Sequence, residues 1–138
     1  MDQQNPPLSG GIAPYLTIRD GRAAEAVDFY KRAFGAEEVD RKPAQNPAKL
    51  MHAHLRINGG SLLLSDDFPE YMGGRETAAP SAVTLHLQVD DADAWWARAL
   101  GAGAEVKMAL ADQFWGDRYG QLKDPFGHSW SIGAPVKA

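Results

Sequence analysis

The sequence predicts an α+β fold: two tandem βαβββ modules forming one cup-shaped mixed sheet with the helices outside. Three observations carry this expectation. "YLTIRD" (Tyr15 to Asp20) and "HLQVDD" (His86 to Asp91) share one pattern, strand-like alternation that ends in Asp. Each is followed by an Ala-rich segment with apolar residues at helical spacing. After each helix come three strand-like runs separated by turn signals. Two such halves cannot each bury their faces alone, so their sheets should pair into one unit. One domain over residues 11–138 follows, with module one at about 11–67, a linker at about 68–80 and module two at about 81–135.

The elements can be justified in chain order. "MDQQNPPLSGG" has neither a basic nor an apolar signal-peptide region, so residues 1–10 read as a disordered tail. In the first helix Val27, Tyr30 and Phe34 share a face; in the second, Trp96 and Leu100 do, and this helix should be shorter by about one turn. Asp20 and Asp91 or Asp93 are candidate N-caps, and Gly35 and Gly103 candidate helix ends. The first module continues with "EEVDR", "KLMHAHLRI" and "SLLLSD", with "NGG" as a hairpin turn. The second continues with "AEVKMA", "RYGQLKD" and "HSWSIG", with "DPFG" (Asp124 to Gly127) as a turn rather than a site of chemistry. "DFPEYMGGRETAAPS" between the modules has a linker's composition, and Asp66, Asp67 and Glu70 read as part of an acidic linker.

Composition excludes several classes of function. The 138 residues carry a net charge of -4 and no basic run, against nucleic acid or an anionic membrane as partner. Cysteine is absent, which removes thiol catalysis, disulfides and Cys-bound metal. No apolar stretch approaches the roughly 20 residues of a membrane span, and a cytoplasmic location is the default expectation.

Alternation then assigns faces. In the third strand Met51, Ala53, Leu55 and Ile57 oppose His52, His54 and Arg56. In the fifth, Val83, Leu85, Leu87 and Val89 oppose Thr84, His86 and Gln88. In the first, Leu16 and Ile18 oppose Tyr15, Thr17 and Arg19. The apolar faces should receive the helices; the polar ones belong to solvent or to a shared, mildly cationic cup. "ADQFWGDRYGQ" falls between the sixth and seventh strands. Gln113, Trp115, Asp117, Arg118 and Tyr119 are there either a ligand-facing rim or an aromatic anchor for the loop. In the first case Arg118 would hold an anion through its planar fork. Of Trp95 and Trp96, at least one should be core or interface.

"PYLTIRD", "FYKRAFGA", "MHAHLRI", "HLQVDD" and "DQFWGDRYGQLKDPFGHSW" together resemble the vicinal oxygen chelate superfamily, which includes glyoxalase I, extradiol dioxygenases and bleomycin-resistance proteins, and within it the PhnB-like branch. The resemblance covers about residues 12–134. It implies a homodimer, with the cup completed within one chain or across two. It also implies four divalent-metal positions, which fall on Tyr15, Leu64, His86 and Ser131. Only His86 is a usual ligand there, whereas a catalytic metal needs about three good N or O donors.

The functional expectation is therefore a PhnB-like protein binding a small polar or anionic molecule without the superfamily's metal. Its pocket would draw on Tyr15, Thr17, Arg19, His52, His54, Arg56, Thr84, His86, Gln88, Gln113, Trp115, Asp117, Arg118, Tyr119 and Ser131. No cofactor is expected. The alternatives are a metal-dependent glyoxalase- or dioxygenase-type enzyme using His86 with atypical ligands, or a phosphonate-metabolism accessory protein.

Overall fold

The computed structural model describes residue 8 and residues 10–137, so most of the tail expected over residues 1–10 lies outside the described residues. The chain divides into two compact units. One comprises the residues up to Lys31 together with Gly35–Ala78; the other comprises Arg32–Phe34 and the residues from Ala79 onward.

The first unit runs β1 (Tyr15–Ile18), α1 (Ala23–Phe34), β2 (Glu37–Pro43), β3 (Leu50–Ile57) and β4 (Gly60–Asp66), the last three residues of α1 clustering with the second unit. The sheet order is β1-β4-β3-β2, with β1 parallel to β4 and the other pairs antiparallel. The second unit runs β5 (Thr84–Gln88), α2 (Ala92–Ala102), β6 (Glu105–Asp112), β7 (Asp117–Lys123) and β8 (Ser129–Pro135). Its order, β5-β8-β7-β6, is the same topology, again with first and last strands parallel. The duplication predicted from sequence is thus present as two βαβββ modules, each with its own four-stranded mixed sheet. The segment between them holds a single 3-10 turn, Pro69–Tyr71. No helix among the described residues is long and apolar enough to cross a membrane.

Local chemistry sets the element ends. Asn58 and Gly59 both have positive φ (49° and 85°), the type I′ geometry that lets β3 turn directly into β4. Gly35 and Gly103 close the helices in the left-handed region, as their positions predict. Asp91 caps α2 by accepting from the Ala94 N–H at 3.1 Å. Asp20 does not cap α1. It sits at φ 65°, and the helix starts three residues later, at Ala23. The late start leaves α2 only one residue shorter, 11 against 12, rather than a turn shorter.

The partner that α1 lacks locally comes from β4. Asp66 is 2% exposed; its carboxylate accepts from the Ala23 N–H at 2.9 Å and from the Leu50 N–H at 2.7 Å. Asp66 is therefore a buried tie between the ends of α1, β3 and β4, not part of an acidic linker. Asp124 does comparable work in the second module. It accepts from the Phe126 and His128 N–H groups and from Trp130 Nε1, which makes the "DPFG" segment the expected turn.

Leu16, Ile18, Ala53, Leu55, Ile57 and Leu64 are buried in the first unit, as alternation predicts, but Met51 is half-exposed. In the second unit Leu87, Leu122, Trp130 and Ile132 are buried, whereas Val83 precedes β5 and is exposed. Trp96 is the packing tryptophan of α2. A methyl on Gly120 of β7 would meet its ring at 2.7 Å, so α2 covers this face of the sheet.

Replacing Asp66 with Ala leaves two buried N–H donors without a partner. The expected cost is about 2–4 kcal/mol in chemical denaturation, with Asp66→Asn losing less because one acceptor remains. An Asp66→Ala protein as stable as the parent would show that this tie is dispensable.

Candidate functional site

Strand register decides which side chains share a face. In the first sheet Tyr15 stands beside Leu63, which stands opposite His54, and Arg56 stands opposite Ser61. Tyr15, Thr17, His52, His54 and Arg56 therefore lie on one face, opposite Leu16, Leu55 and Leu64. Leu64, placed by the resemblance beside Tyr15, instead pairs with Leu16 and Ala53 on the buried face and is 0% exposed. Leu63 is the residue in Tyr15's row. A motif alignment cannot detect that one-residue offset, which reverses the face.

Two hydrogen bonds organise this first polar face. The Tyr15 hydroxyl and His52 Nδ1 are hydrogen-bonded at 2.8 Å, with the two rings 5.7 Å apart. His54 Nε2 is 2.8 Å from Ser61 Oγ. Burial raises the Tyr15 pKa, which keeps the phenol protonated. Burial, followed by the neighbouring Arg56 and His52 charges, lowers the His54 pKa below its usual value, so its imidazole stays neutral.

Arg19 does not join this face. It lies beyond the end of β1 and lines a separate cleft with Asp20, Gly21, Lys49, Asp67 and Thr77. There Lys49 Nζ donates to the Asp67 carbonyl and sits 4.5 Å over the Phe68 ring.

The second sheet carries the denser constellation. His86 stands beside Ser131, which stands opposite Gln121; Gln88 stands beside Gly133, which stands opposite Tyr119. Thr84 and Ser129 form the next row. Within this face His86 Nε2 donates to Gln88 Oε1 at 2.8 Å, which leaves Nδ1 to accept from the Ser131 hydroxyl at 2.7 Å. Ser131 is 1% exposed, so this bond is screened from water, while the ring itself is open to solvent. Tyr119 stacks on His86 at 5.8 Å and accepts from Gln121 Nε2 at 3.1 Å. Trp115, half-exposed, meets Tyr119 edge-on at 5.6 Å. At the strand ends Lys107 donates to Ser129.

The turn Gln113–Gly116 joins β6 to β7, closed by the Gln113 N–H to the Asp117 carbonyl. Gln113 spends its side chain on the Ala111 and Tyr119 carbonyls, so it braces the turn. Asp117 shares Tyr119's side of β7. Arg118 does not. It lies on the opposite face of β7, where it bonds Asp93 of α2 and Asp112 of β6, each at 3.1 Å. Those bonds, Asp112 first, raise its pKa. The expected pairings of Arg118 with Asp117 or with a ligand anion are therefore replaced by a two-carboxylate clamp behind the sheet. β7 begins at Asp117, so alternation already applies at Arg118 and Tyr119.

The superfamily's metal can be tested against these donors. His86 has both nitrogens committed, Ser131 and Tyr15 offer protonated hydroxyls, and Leu63 and Leu64 offer none. Among the described residues no three His, Asp or Glu side chains converge to hold an ion. The residues do not fit the group.

Sequence reasoning missed Gln121, Gly133, Leu63, Ser61 and Lys107. Gln121 and Ser61 carried a usable signal, since both follow from alternation along strands already assigned.

A family model for the Glyoxalase/Bleomycin resistance protein/Dioxygenase superfamily matches residues 12–132. A Mycobacterium bovis protein, Mb0911c, is 51% identical over 130 residues, covering 91% of this chain and 84% of its own. Among solved structures, protein PA1353 from Pseudomonas aeruginosa matches with a TM-score of 0.73 at 28% identity, covering 94% of this chain and 100% of that one. The PhnB protein from Bacillus cereus matches with a TM-score of 0.70 at 22% identity, over 91% of this chain and 99% of that one, a likeness of fold.

The depressed His54 pKa has a testable consequence. The native state binds fewer protons at this site than the unfolded chain. Stability linked to His54 is therefore fully present above its unfolded pKa, near 6.5, and is lost as pH falls through that value toward the lower folded one. His54→Gln should flatten this part of the stability–pH curve. A variant whose curve runs parallel to the parent's between pH 7 and 5 would contradict the assignment.

Proposed function

The chain belongs to the glyoxalase/bleomycin resistance protein/dioxygenase superfamily, and from that premise we propose that it is a PhnB-like binding protein for a small polar or anionic molecule, acting without the superfamily's divalent metal. The ligand lies on the polar face of the second sheet, against His86, Gln88, Tyr119 and Gln121. One observation carries this: the His86 imidazole is hydrogen-bonded at both nitrogens, to Ser131 and to Gln88. A ring so engaged has no free lone pair to give a cation, yet it stays open to solvent as part of a hydrogen-bonding surface. A few placed polar groups beside an aromatic wall are the usual make-up of a small-molecule site.

The charge for an anion comes from Lys107 on this face, because Arg118 is already neutralised by two carboxylates. The homodimer implied by the family resemblance belongs to the same proposal, and light scattering on the purified protein tests it.

Untagged wild-type protein should carry far less than one divalent metal per chain by mass spectrometry, and His86→Ala should carry no less than wild type. Near-stoichiometric metal that disappears in His86→Ala would replace this proposal with a metal-dependent glyoxalase- or dioxygenase-type enzyme. In a thermal-shift screen of small polar and anionic metabolites, a true ligand at a hundredfold excess over its Kd stabilises by about 2.7 kcal/mol. His86→Ala should reduce that shift, and a hit that stabilises both proteins equally would place the ligand elsewhere.

A further inference from the structure

β8 stands between His86 on β5 and Tyr119 on β7, so the backbones carrying these residues are two strand spacings apart, about 10 Å. Their ring centroids are nevertheless only 5.8 Å apart, with the rings within 27° of parallel. The gap closes over Gly133, the β8 residue in register with both Gln88 and Tyr119. A methyl group there would stand 2.9 Å from His86 Cε1, 3.2 Å from Gln88 Oε1 and 3.4 Å from His86 Nε2. Gly133 is not among the residues with positive φ, so the backbone does not require glycine at this position. The His86 ring does.

Trp115 turns the stacked pair into a corner. Its indole meets the Tyr119 ring edge to face, at 67°. Because Ser131 and Gln88 hold both imidazole nitrogens, His86 offers its ring rather than a lone pair. Such a corner suits a flat π-system, which can stack on one ring and meet another edge-on; a saturated ring has no quadrupole to match.

We propose that Gly133 is a positioning residue, kept bare so that His86 and Tyr119 close over it, and that the resulting aromatic corner takes a planar conjugated part of the ligand. This rests on the second sheet's polar face being the ligand site.

The test is NMR on labelled full-length protein, with 2-naphthoate and cyclohexanecarboxylate as probes. Gly133→Ala should move the His86 ring resonances toward those of a free histidine. In the parent, 2-naphthoate should shift Tyr119 and Trp115 ring signals saturably, binding roughly threefold to tenfold more weakly in Gly133→Ala. Cyclohexanecarboxylate should produce no saturable shift. Unchanged His86 signals in Gly133→Ala would overturn the positioning role. If 2-naphthoate binds this face equally well in both proteins, the corner fails while the ligand-site proposal stands. If the saturated probe binds as well as the planar one, the planar class fails alone. If neither probe shifts any resonance of this face, the planar class fails together with the proposal beneath it. Should Gly133→Ala unfold, the same substitution in a His86→Ala background decides the positioning role. Without the ring the methyl should cost far less stability, and an equal cost would overturn it.

Discussion

The parallel pairing of β5 with β8 is the constraint on which the candidate site depends. It places His86 beside Ser131 and Gln88 beside Gly133, and the antiparallel β7 then brings in Gln121 and Tyr119. A slip of one residue would turn His86 toward α2 and a leucine toward solvent. Such a slip is resisted by burial of Leu87, Trp130 and Ile132 on the other face. The fold's hydrophobic pattern and its candidate site are thus one constraint seen from two sides of a sheet.

The two modules answer the same topology with different chemistry. In the first, β1 pairs with β4 as β5 pairs with β8, yet Tyr15 stands beside Leu63, where no side-chain hydrogen bond can form. Tyr15 instead reaches His52, and His54 reaches Ser61, each at 2.8 Å. In the second, the ring–hydroxyl pair lies between the two parallel strands themselves. His52, His54 and His86 each meet a neighbouring hydroxyl, and His86 also meets the Gln88 amide oxygen.

Much of the fold was legible in the sequence because its signals are local. Asn58-Gly59 demands a type I′ turn, Gly35 and Gly103 end helices, and alternation identifies the buried faces of β1, β3 and β5. The candidate site was legible only in part. His86, Gln88, Ser131 and Tyr119 come together as alternation and the family resemblance imply. Arg118 was misplaced because it was grouped with the rim residues, although alternation along "RYGQLKD" puts it on the face opposite Tyr119. Arg19 was carried past the end of its strand. Asp66 resembles linker composition, since its partners, Ala23 and Leu50, are distant in sequence. Gly133 left no signal at all: its importance is the absence of a side chain under a ring from another strand.

The His86 ring is hydrogen-bonded to both Ser131 and Gln88, and the proposal built on this is that it takes no metal. Long-range 1H–15N correlation of the imidazole, recorded before and after one equivalent of zinc, tests this most directly. The account predicts a ring protonated at Nε2, with an unprotonated Nδ1, whose signals do not move when zinc is added. A stoichiometric shift of either nitrogen to a metal-bound position would contradict it.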